Sequence, residues 1–146
     1  MGLEIPILGS DTLDSNMVLE AASGSDVKLY VSTFYQEGGS PEFDEGIKAW
    51  LNEDATAMTN NGGNDTIAAV TAMGYDAYYV ALEALKAAGS TDPAAVKAAL
   101  PGVTYTGVTG DIAFDDIGDA IRDTAYIKVA DTANNAWALE TMQKAG

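Results

Sequence analysis

The sequence predicts an α/β fold: a strand, a helix and a second strand, then three further helices of which one is long, and finally a C-terminal antiparallel β meander. Two observations support this prediction. Apolar residues recur at helical spacing across positions 64–89, whereas positions 103–141 hold short alternating segments separated by turn residues. A chain of 146 residues fits a single domain or a piece of a larger protein.

Two strands and a helix are predicted at the start of the chain. Residues 3–9 form a short apolar run that ends in glycine and is typical of a buried strand, and Pro6 favours an edge or an end of the sheet. Residues 16–22 follow capping residues and end before Gly24, as expected of a short helix. Residues 27–35 alternate and are rich in β-branched and aromatic side chains, which predicts a second strand.

Two of the next three helices have the same start signal, a capping residue followed by proline. Ser40 offers an N-cap to a helix beginning at Pro41, where proline suits the first helical position. The apolar stripe of this helix places its end between Leu51 and Met58. The same signal predicts a short helix over residues 93–100, which a proline–glycine pair then ends.

The long helix is predicted over residues 64–89, between capping residues at its start and Gly89 at its end. About 23 helical residues would span about 34 Å. Gly74 in the middle costs about 1 kcal/mol relative to alanine, which indicates the close approach of another backbone or of a ligand. The predicted core-facing stripe comprises Ile67, Val70, Gly74, Ala77, Ala81, Leu85 and Ala88.

The C-terminal part contains four alternating segments separated by turn residues. Five aspartates lie between Asp111 and Asp123 around Gly118, which is a composition that calcium sites share. The order of oxygen ligands in an EF-hand is absent, so a hairpin turn with Gly118-Asp119 at its tip is preferred. The alternating segments are residues 104–108, 110–114, 124–129 and 136–141.

Composition excludes several classes of function. Twenty-two acidic and seven basic residues give a formal charge of −15, which repels phosphate backbones and argues against nucleic acid as a partner. The absence of cysteine excludes disulfides and thiol catalysis, and the absence of histidine removes the commonest general base and metal ligand. The sequence therefore predicts no metal site and no cofactor. No apolar run is long enough to span a membrane.

Asp11 is a candidate binding residue because it directly follows the first predicted strand. In open α/β sheets, ligands bind beyond the carboxyl ends of the strands. A carboxylate there can bind an ammonium group through charge-assisted hydrogen bonds. The structural alternative is a helix N-cap, provided by Asp11 itself or by Asp14 or Ser15.

Three tyrosines on the long helix, Tyr75, Tyr78 and Tyr79, form a second candidate site. A tyrosine at a cleft can cover the apolar part of a ligand while its hydroxyl makes one directed hydrogen bond. The structural alternative is an aromatic stripe that packs in the core or at its rim.

Three stretches form a recognisable combination. They are PILGSDTLDS at 6–15, AMGYDAYYVALEALKAAGSTDPAAVKAAL at 72–100 and YTGVTGDIAFDDIGDAI at 105–121. Together they resemble the C-terminal part of the branched-chain amino-acid (leucine/isoleucine/valine) binding proteins of ABC importers, which belong to the type I periplasmic binding-protein family. The resemblance covers almost the whole chain, and it is specific in the combination of the middle segment with the FDxxGD turn.

The resemblance implies a partial type I periplasmic binding-protein fold and a receptor of two lobes that closes on an amino acid. By motif position, Asp11 matches an acidic residue, often glutamate in the family, that receives the ammonium group of the ligand. Thr12 would contribute a backbone contact. Tyr75, in the GYDA motif, would line the ligand cleft.

The resemblance also implies a role and a division of the chain. The role is the non-enzymatic solute-binding component of an amino-acid ABC importer, here a C-terminal fragment whose export signal lies upstream. Residues 3–35 and 103–141 would belong mainly to one lobe, and the helices of residues 41–100 to the other. The implied partners are a small-molecule amino acid and an ABC permease. The implied location is periplasmic or extracellular, as a free protein or as a membrane-anchored lipoprotein.

Two further expectations concern association and alternative functions. Incomplete sheets would expose their edges, which favours a homodimer or an exchange of strands between copies. One alternative function is the ligand-sensing domain of a receptor or regulator with the same fold. Another is an enzyme that uses acidic residues alone, with Asp115 or Asp116 as the first residues to test.

Overall fold

The computed structural model describes residues 5–144. The helices are α1 (Asn16–Ala22), α2 (Pro41–Glu53), α3 (Ala55–Asn60), α4 (Ala69–Ala88) and α5 (Pro93–Ala99). The strands are β1 (Ile7–Gly9), β2 (Leu29–Thr33), β3 (Tyr105–Gly107), β4 (Gly110–Phe114), β5 (Ala120–Ile121), β6 (Thr124–Asp131) and β7 (Ala136–Lys144). Short 3-10 turns cover Asp11–Leu13 and Leu100–Gly102.

The described chain forms two compact units. The first unit comprises residues 5–71 and 124–144, and the second comprises residues 72–123. Residues 41–60 therefore group with the first strands, and β3–β5 group with most of α4 and with α5. The expected division concerns the two lobes of a complete receptor, with residues 3–35 and 103–141 mainly in one lobe and residues 41–100 in the other, and it stays a prediction.

The first unit contains a four-stranded sheet in the order β1-β2-β6-β7. β1 and β2 are parallel, as a strand–helix–strand connection requires, whereas β6 and β7 run antiparallel to their neighbours. Leu29, Val31 and Thr33 alternate along one buried face of β2. Leu19 of α1 packs on this face with Leu29 and Ala130. One buried cluster of the unit therefore lies between the sheet and α1, and α2 buries Phe43 and Leu51.

The second unit pairs α4 and α5 with a three-stranded antiparallel sheet in the order β3-β4-β5. Val80 and Ala84 on α4 form a buried cluster with Val103 and Ile112, and the partly buried Val96 of α5 packs against the cluster. The predicted antiparallel segments are thus divided between two sheets. β3, β4 and β5 belong to the second unit, and β6 and β7 complete the sheet of the first.

Several elements coincide with the sequence prediction. α1 covers residues 16–22 and β4 covers residues 110–114, as predicted, and Asp92 caps α5 by accepting two backbone N–H groups. Pro6 precedes β1, which is an edge strand of its sheet in the described chain. Residues 3 and 4 of the predicted first strand lie outside the described residues. The predicted strand over residues 27–35 is shorter, ending at Thr33.

The long helix was predicted with the wrong start and the wrong buried face. α4 begins at Ala69, and it ends as predicted at Gly89, whose φ is 58°. Much of the predicted stripe is exposed, namely Val70, Gly74, Ala77 and Ala81. The buried positions of the helix are Ala69, Ala72, Asp76, Val80 and Ala84. The prediction failed because the buried face of α4 includes a polar residue, Asp76, which interrupts its apolar repeat. The adjacent face of the helix has no such interruption and therefore showed the more regular apolar spacing.

A short helix between α2 and the long helix was missed. α2 ends at Glu53, within the predicted limits, and Asp54 then starts α3 by accepting the N–H groups of Thr56 and Ala57. α3 has only six residues and buries only Ala57, so it shows no apolar repeat. Its stability depends on the capping aspartate and on packing against α2.

Candidate ligand-binding site

Asp11 begins the short Asp11–Leu13 turn, two residues after the end of β1. Its side chain is half-exposed, and its carboxylate makes no hydrogen bond or ion pair within residues 5–144. The alternative reading of Asp11 as the cap of α1 is wrong. Ser15 is the N-cap, since its hydroxyl accepts the N–H of Val18 at 3.3 Å. Within residues 5–144 the Asp11 carboxylate therefore has no hydrogen-bonding or ionic role in the fold.

Thr12 is the exposed middle residue of the same turn. Its hydroxyl forms a hydrogen bond with the hydroxyl of Ser10 at 2.8 Å. The expected backbone contact of Thr12 with a ligand stays a prediction.

Asp14 closes the turn and was not singled out as a functional residue by the sequence. It is 2% exposed, and one oxygen, Oδ2, accepts hydrogen bonds from three donors. These are the Thr33 hydroxyl at 3.0 Å, the Ala69 N–H at 3.2 Å and the Lys128 ammonium at 2.9 Å. The available signal was a lysine at position 128 among the apolar residues of a predicted strand, because such a lysine needs a counter-charge when buried.

Tyr75 lies on α4 and is 38% exposed. Its ring packs against Tyr79 with the centroids 4.9 Å apart, and the two hydroxyls are 3.4 Å apart. Tyr79 also stacks on Tyr105 of β3, with centroids 5.9 Å apart and an interplanar angle of 6°. Burial, followed by the nearby charge of Asp76, raises the pKa of Tyr105. Tyr75 is therefore the exposed margin of a packed aromatic cluster.

Asp76, the next residue along α4, fixes the helix to the turn between β3 and β4. Its side chain is completely buried. Oδ1 accepts the Val108 N–H at 2.9 Å, and Oδ2 accepts the Thr109 N–H at 2.8 Å and the Thr109 hydroxyl at 2.6 Å. Arg122 donates to the carbonyl and the hydroxyl of the same threonine. The GYDA and YTGVTG sequences are thus joined directly through this carboxylate.

The acidic turn between β4 and β5 has the predicted hairpin structure. Asp115 accepts the N–H groups of Ile117 and Asp119, and Gly118 has a φ of 94°. These contacts assign Asp115 a structural role. Within residues 5–144, no group of three or more acidic side chains could hold a metal ion.

The three predicted binding residues belong to two different units. Asp11 and Thr12 lie together in one turn of the first unit, and Tyr75 lies in the second. A cleft of about 490 Å³ opens over β3, β4 and β5, and another of about 340 Å³ opens beside α2 and α3. None of the three residues lines either cleft.

Among residues 5–144, no helix combines the length and the hydropathy that a membrane span requires.

Comparison with known proteins identifies the family. Residues 1–134 match the family described as periplasmic binding protein. The fold is similar to that of the leucine-binding protein LivK of Thermotoga maritima, with 25% sequence identity and a TM-score of 0.73 over 98% of this chain and 38% of LivK.

A second solved structure shows the same fold. It is a solute-binding protein of an ABC transporter from R. palustris in complex with benzoate, with 15% identity and a TM-score of 0.67 over 97% of this chain and 37% of that protein. No protein of curated function matches the sequence significantly. This chain spans less than two-fifths of the length of either of these two solved proteins.

These matches confirm the expected fold class, a mixed α/β chain that forms part of a larger type I periplasmic binding-protein fold. The family consists of solute-binding proteins and not of enzymes, which contradicts the alternative of an acid-dependent enzyme. This chain belongs to the periplasmic binding protein family, and it is related to the type I members that bind branched-chain amino acids.

Proposed function

We propose that this chain is the C-terminal part of an extracytoplasmic solute-binding protein that delivers an amino acid, and preferably a branched-chain one, to an ABC importer. The Asp11 carboxylate binds the ammonium group of the ligand. A backbone group of Thr12 adds a polar contact, and the ring of Tyr75 covers an apolar part of the ligand.

The observation that most supports this proposal is the state of the Asp11 carboxylate. It is half-exposed beyond the end of β1 and has no partner within the described residues, whereas Asp14, three positions later, is buried with its charge paired. An ionised carboxylate without a partner can form strong charge-assisted hydrogen bonds with an ammonium group. Asp11 is therefore the acid of this turn that a cationic ligand group can reach.

Tyr75 supplies the complementary chemistry. Its exposed ring is held by Tyr79, and Tyr79 is itself held by stacking on Tyr105. A ring held in place by its neighbours loses little conformational entropy on binding and presents a rigid apolar surface. Such a surface suits an aliphatic side chain like that of leucine, isoleucine or valine.

The proposal includes partners and location. The complete protein would be exported, free or lipid-anchored, and would transfer its ligand to a permease. The chain on its own would associate through β1, where the side chains of Ile7 and Leu8 are 49% and 69% exposed at a sheet edge. Exposed apolar edge strands favour pairing with a second copy.

Calorimetric titration of the full-length receptor that contains this chain tests the proposal. Leucine, isoleucine and valine are the probes, and benzoate is the comparison ligand because it has a carboxylate but no ammonium group. Asp11→Asn should weaken amino-acid binding by about 2–5 kcal/mol, the usual effect of removing one charge from a charge pair that is buried in the complex.

The matched control is Asp26→Asn, which neutralises an exposed aspartate of the same unit. It should leave the affinity unchanged. An Asp11→Asn protein that binds leucine as tightly as the unmodified protein would refute the assigned role. A protein that binds benzoate but none of the three amino acids would refute the proposed ligand class.

A further inference from the structure

We infer that Asp14 and Lys128 are positioning residues for ligand binding, because together they fix the Asp11–Leu13 turn and thereby the place of the Asp11 carboxylate. This inference rests on the proposed function, in which Asp11 binds the ammonium group of the ligand. It assigns a binding role to two buried residues that contact no ligand themselves.

The turn is tied directly to Asp14. The Asp14 N–H donates to the carbonyl of Asp11 at 3.0 Å, and the Leu13 N–H donates to the carbonyl of Ser10 at 3.0 Å. These two bonds close the turn, so the location of Asp14 sets the location of Asp11. A shift of Asp14 would move the carbonyl and the Cα of Asp11 with it.

Asp14 is in turn held by three separate elements of the first unit. Its Oδ2 atom receives hydrogen bonds from Thr33 at the end of β2, from Ala69 at the start of α4 and from Lys128 in β6. Their positions along the chain are 19, 55 and 114 residues away. Because the three donors come from independent elements, they fix the carboxylate in three dimensions.

Lys128 is the charged donor among the three that Asp14 Oδ2 accepts. It is 2% exposed and lies opposite Val31 of β2 and Leu139 of β7, in the interior of the sheet. A register irregularity in the β6–β7 pairing occurs between Ile127 and Lys128, and irregularities of this kind redirect side chains. Asp14 is the acid paired with it in the described chain. A buried ammonium group needs such a partner, so the ion pair strongly prefers one geometry.

The second oxygen of Asp14 makes the pair suitable for an experiment. Oδ1 is buried and has no hydrogen-bond partner within residues 5–144. In Asp14→Asn the remaining side-chain oxygen can take the place of Oδ2 and accept from Thr33 and Ala69. Combined with Lys128→Met, this change removes both buried charges together and avoids leaving an ammonium group without a counter-charge.

The experiment is a mutant cycle on the full-length receptor with leucine as the probe. The four proteins are the unmodified receptor, Asp11→Asn, the double variant Asp14→Asn/Lys128→Met, and the triple variant with all three changes. The double variant should lower leucine affinity at least tenfold in the presence of Asp11. In the Asp11→Asn background the same two changes should lower it less than twofold, since residues that act through one another are not additive.

Equal losses in the two backgrounds would overturn the inference, because they would show a general structural effect. An unchanged affinity in the double variant would overturn it as well. Asp44→Asn is the control for buried charge, since Asp44 is 7% exposed in the same unit but bonds to Tyr35 and Gly38. Its effect on affinity should be the same with and without Asp11.

A second measurement separates this inference from the proposed function. Amide hydrogen exchange at Leu13 and Asp14 reports on the turn without any ligand. Exchange at these amides should be at least tenfold faster in the double variant and unchanged in Asp44→Asn. If the unmodified receptor binds no amino acid, the proposed function fails while faster exchange still shows that the pair orders the turn. Unchanged exchange would overturn the ordering role itself.

Discussion

Gly107 lies against the carboxylate of Asp76, so closely that a Cβ on residue 107 would overlap the carboxylate atoms. Gly107→Ala should therefore separate α4 from the β3–β4 turn. We expect the free energy of unfolding to fall by about 1–3 kcal/mol, as for overpacking a close contact. Urea unfolding followed by circular dichroism measures this change.

Gly102→Ala is the matched control for this substitution. Gly102 lies in the same unit, and an added Cβ there would meet no atom within 4 Å. It should change the free energy of unfolding by less than about 0.5 kcal/mol. Equal effects at the two positions would contradict the close approach of Asp76 to Gly107.

Asp76→Asn should destabilise the second unit by about 1–3 kcal/mol, because an amide nitrogen would replace one accepting oxygen and face a backbone N–H. The same unfolding measurement applies, with Asp116→Asn as the control since Asp116 is exposed in the β4–β5 turn. If the Asp76 and Asp116 variants are equally stable, the hydrogen bonds from Val108 and Thr109 contribute little.

Alkaline pH should destabilise the first unit through Tyr35. Burial, followed by the hydrogen bond to Asp44, raises the pKa of Tyr35 above its usual value. Ionisation is then easier in the unfolded chain, where tyrosine titrates near pH 10, so this contribution is present below about pH 10 and lost as the pH rises further. Urea unfolding between pH 8 and about 11 should show a decline that is shallower in Tyr35→Phe, by up to about 1.4 kcal/mol per pH unit.

Tyr78→Phe provides the comparison for the alkaline experiment, because Tyr78 is 62% exposed on α4. This variant should retain the full pH dependence of the unmodified chain. A Tyr35→Phe chain with the same pH dependence as Tyr78→Phe would show that Tyr35 does not set the alkaline limit.

Association of the isolated chain should depend on its exposed β1 edge. Leu8→Lys places a charge on this edge and should shift the chain from dimer toward monomer in light scattering coupled to size exclusion. Met17→Lys is the control, because Met17 is 74% exposed but lies on α1. A monomeric unmodified chain at about 100 μM, well within the range where strand edges associate, would contradict the proposal.

Local sequence signals were sufficient for most elements of the fold. The Asp92-Pro93 and Ser40-Pro41 signals located the starts of two helices, although the Ser40 side chain makes no capping hydrogen bond, and Gly89 located the end of α4. Each of these features depends on residues within one or two turns of one another. A capping side chain or a left-handed glycine acts on its immediate neighbours, so its effect can be read from a short window.

Buried polar residues were the features that the sequence did not predict. Asp76 can be buried because it is hydrogen-bonded to residues 32 and 33 positions away in the sequence. Lys128 can be buried because it is paired with Asp14, 114 positions away. Periodicity assigns polar residues to the surface and contains no information about such distant partners. The buried face of α4 was therefore predicted incorrectly, and the Asp14–Lys128 pair was not anticipated. The site assignment of Asp11 depended on its place after a strand and on family resemblance.

The ion pair between Asp14 and Lys128 has a consequence for the order in which the chain folds. The second unit is one continuous segment, residues 72–123, whereas the sheet of the first unit needs β6, which follows that segment. During synthesis, most of α4, α5 and the β3–β5 sheet can assemble before β6, the second neighbour of β2 in the sheet, has been made. Pairing of β2 with β6 must close a loop of about 90 residues, and non-local closures of this kind slow folding. We therefore expect the second unit to fold first. The first unit then completes its core when β6 pairs with β2 and Lys128 binds Asp14.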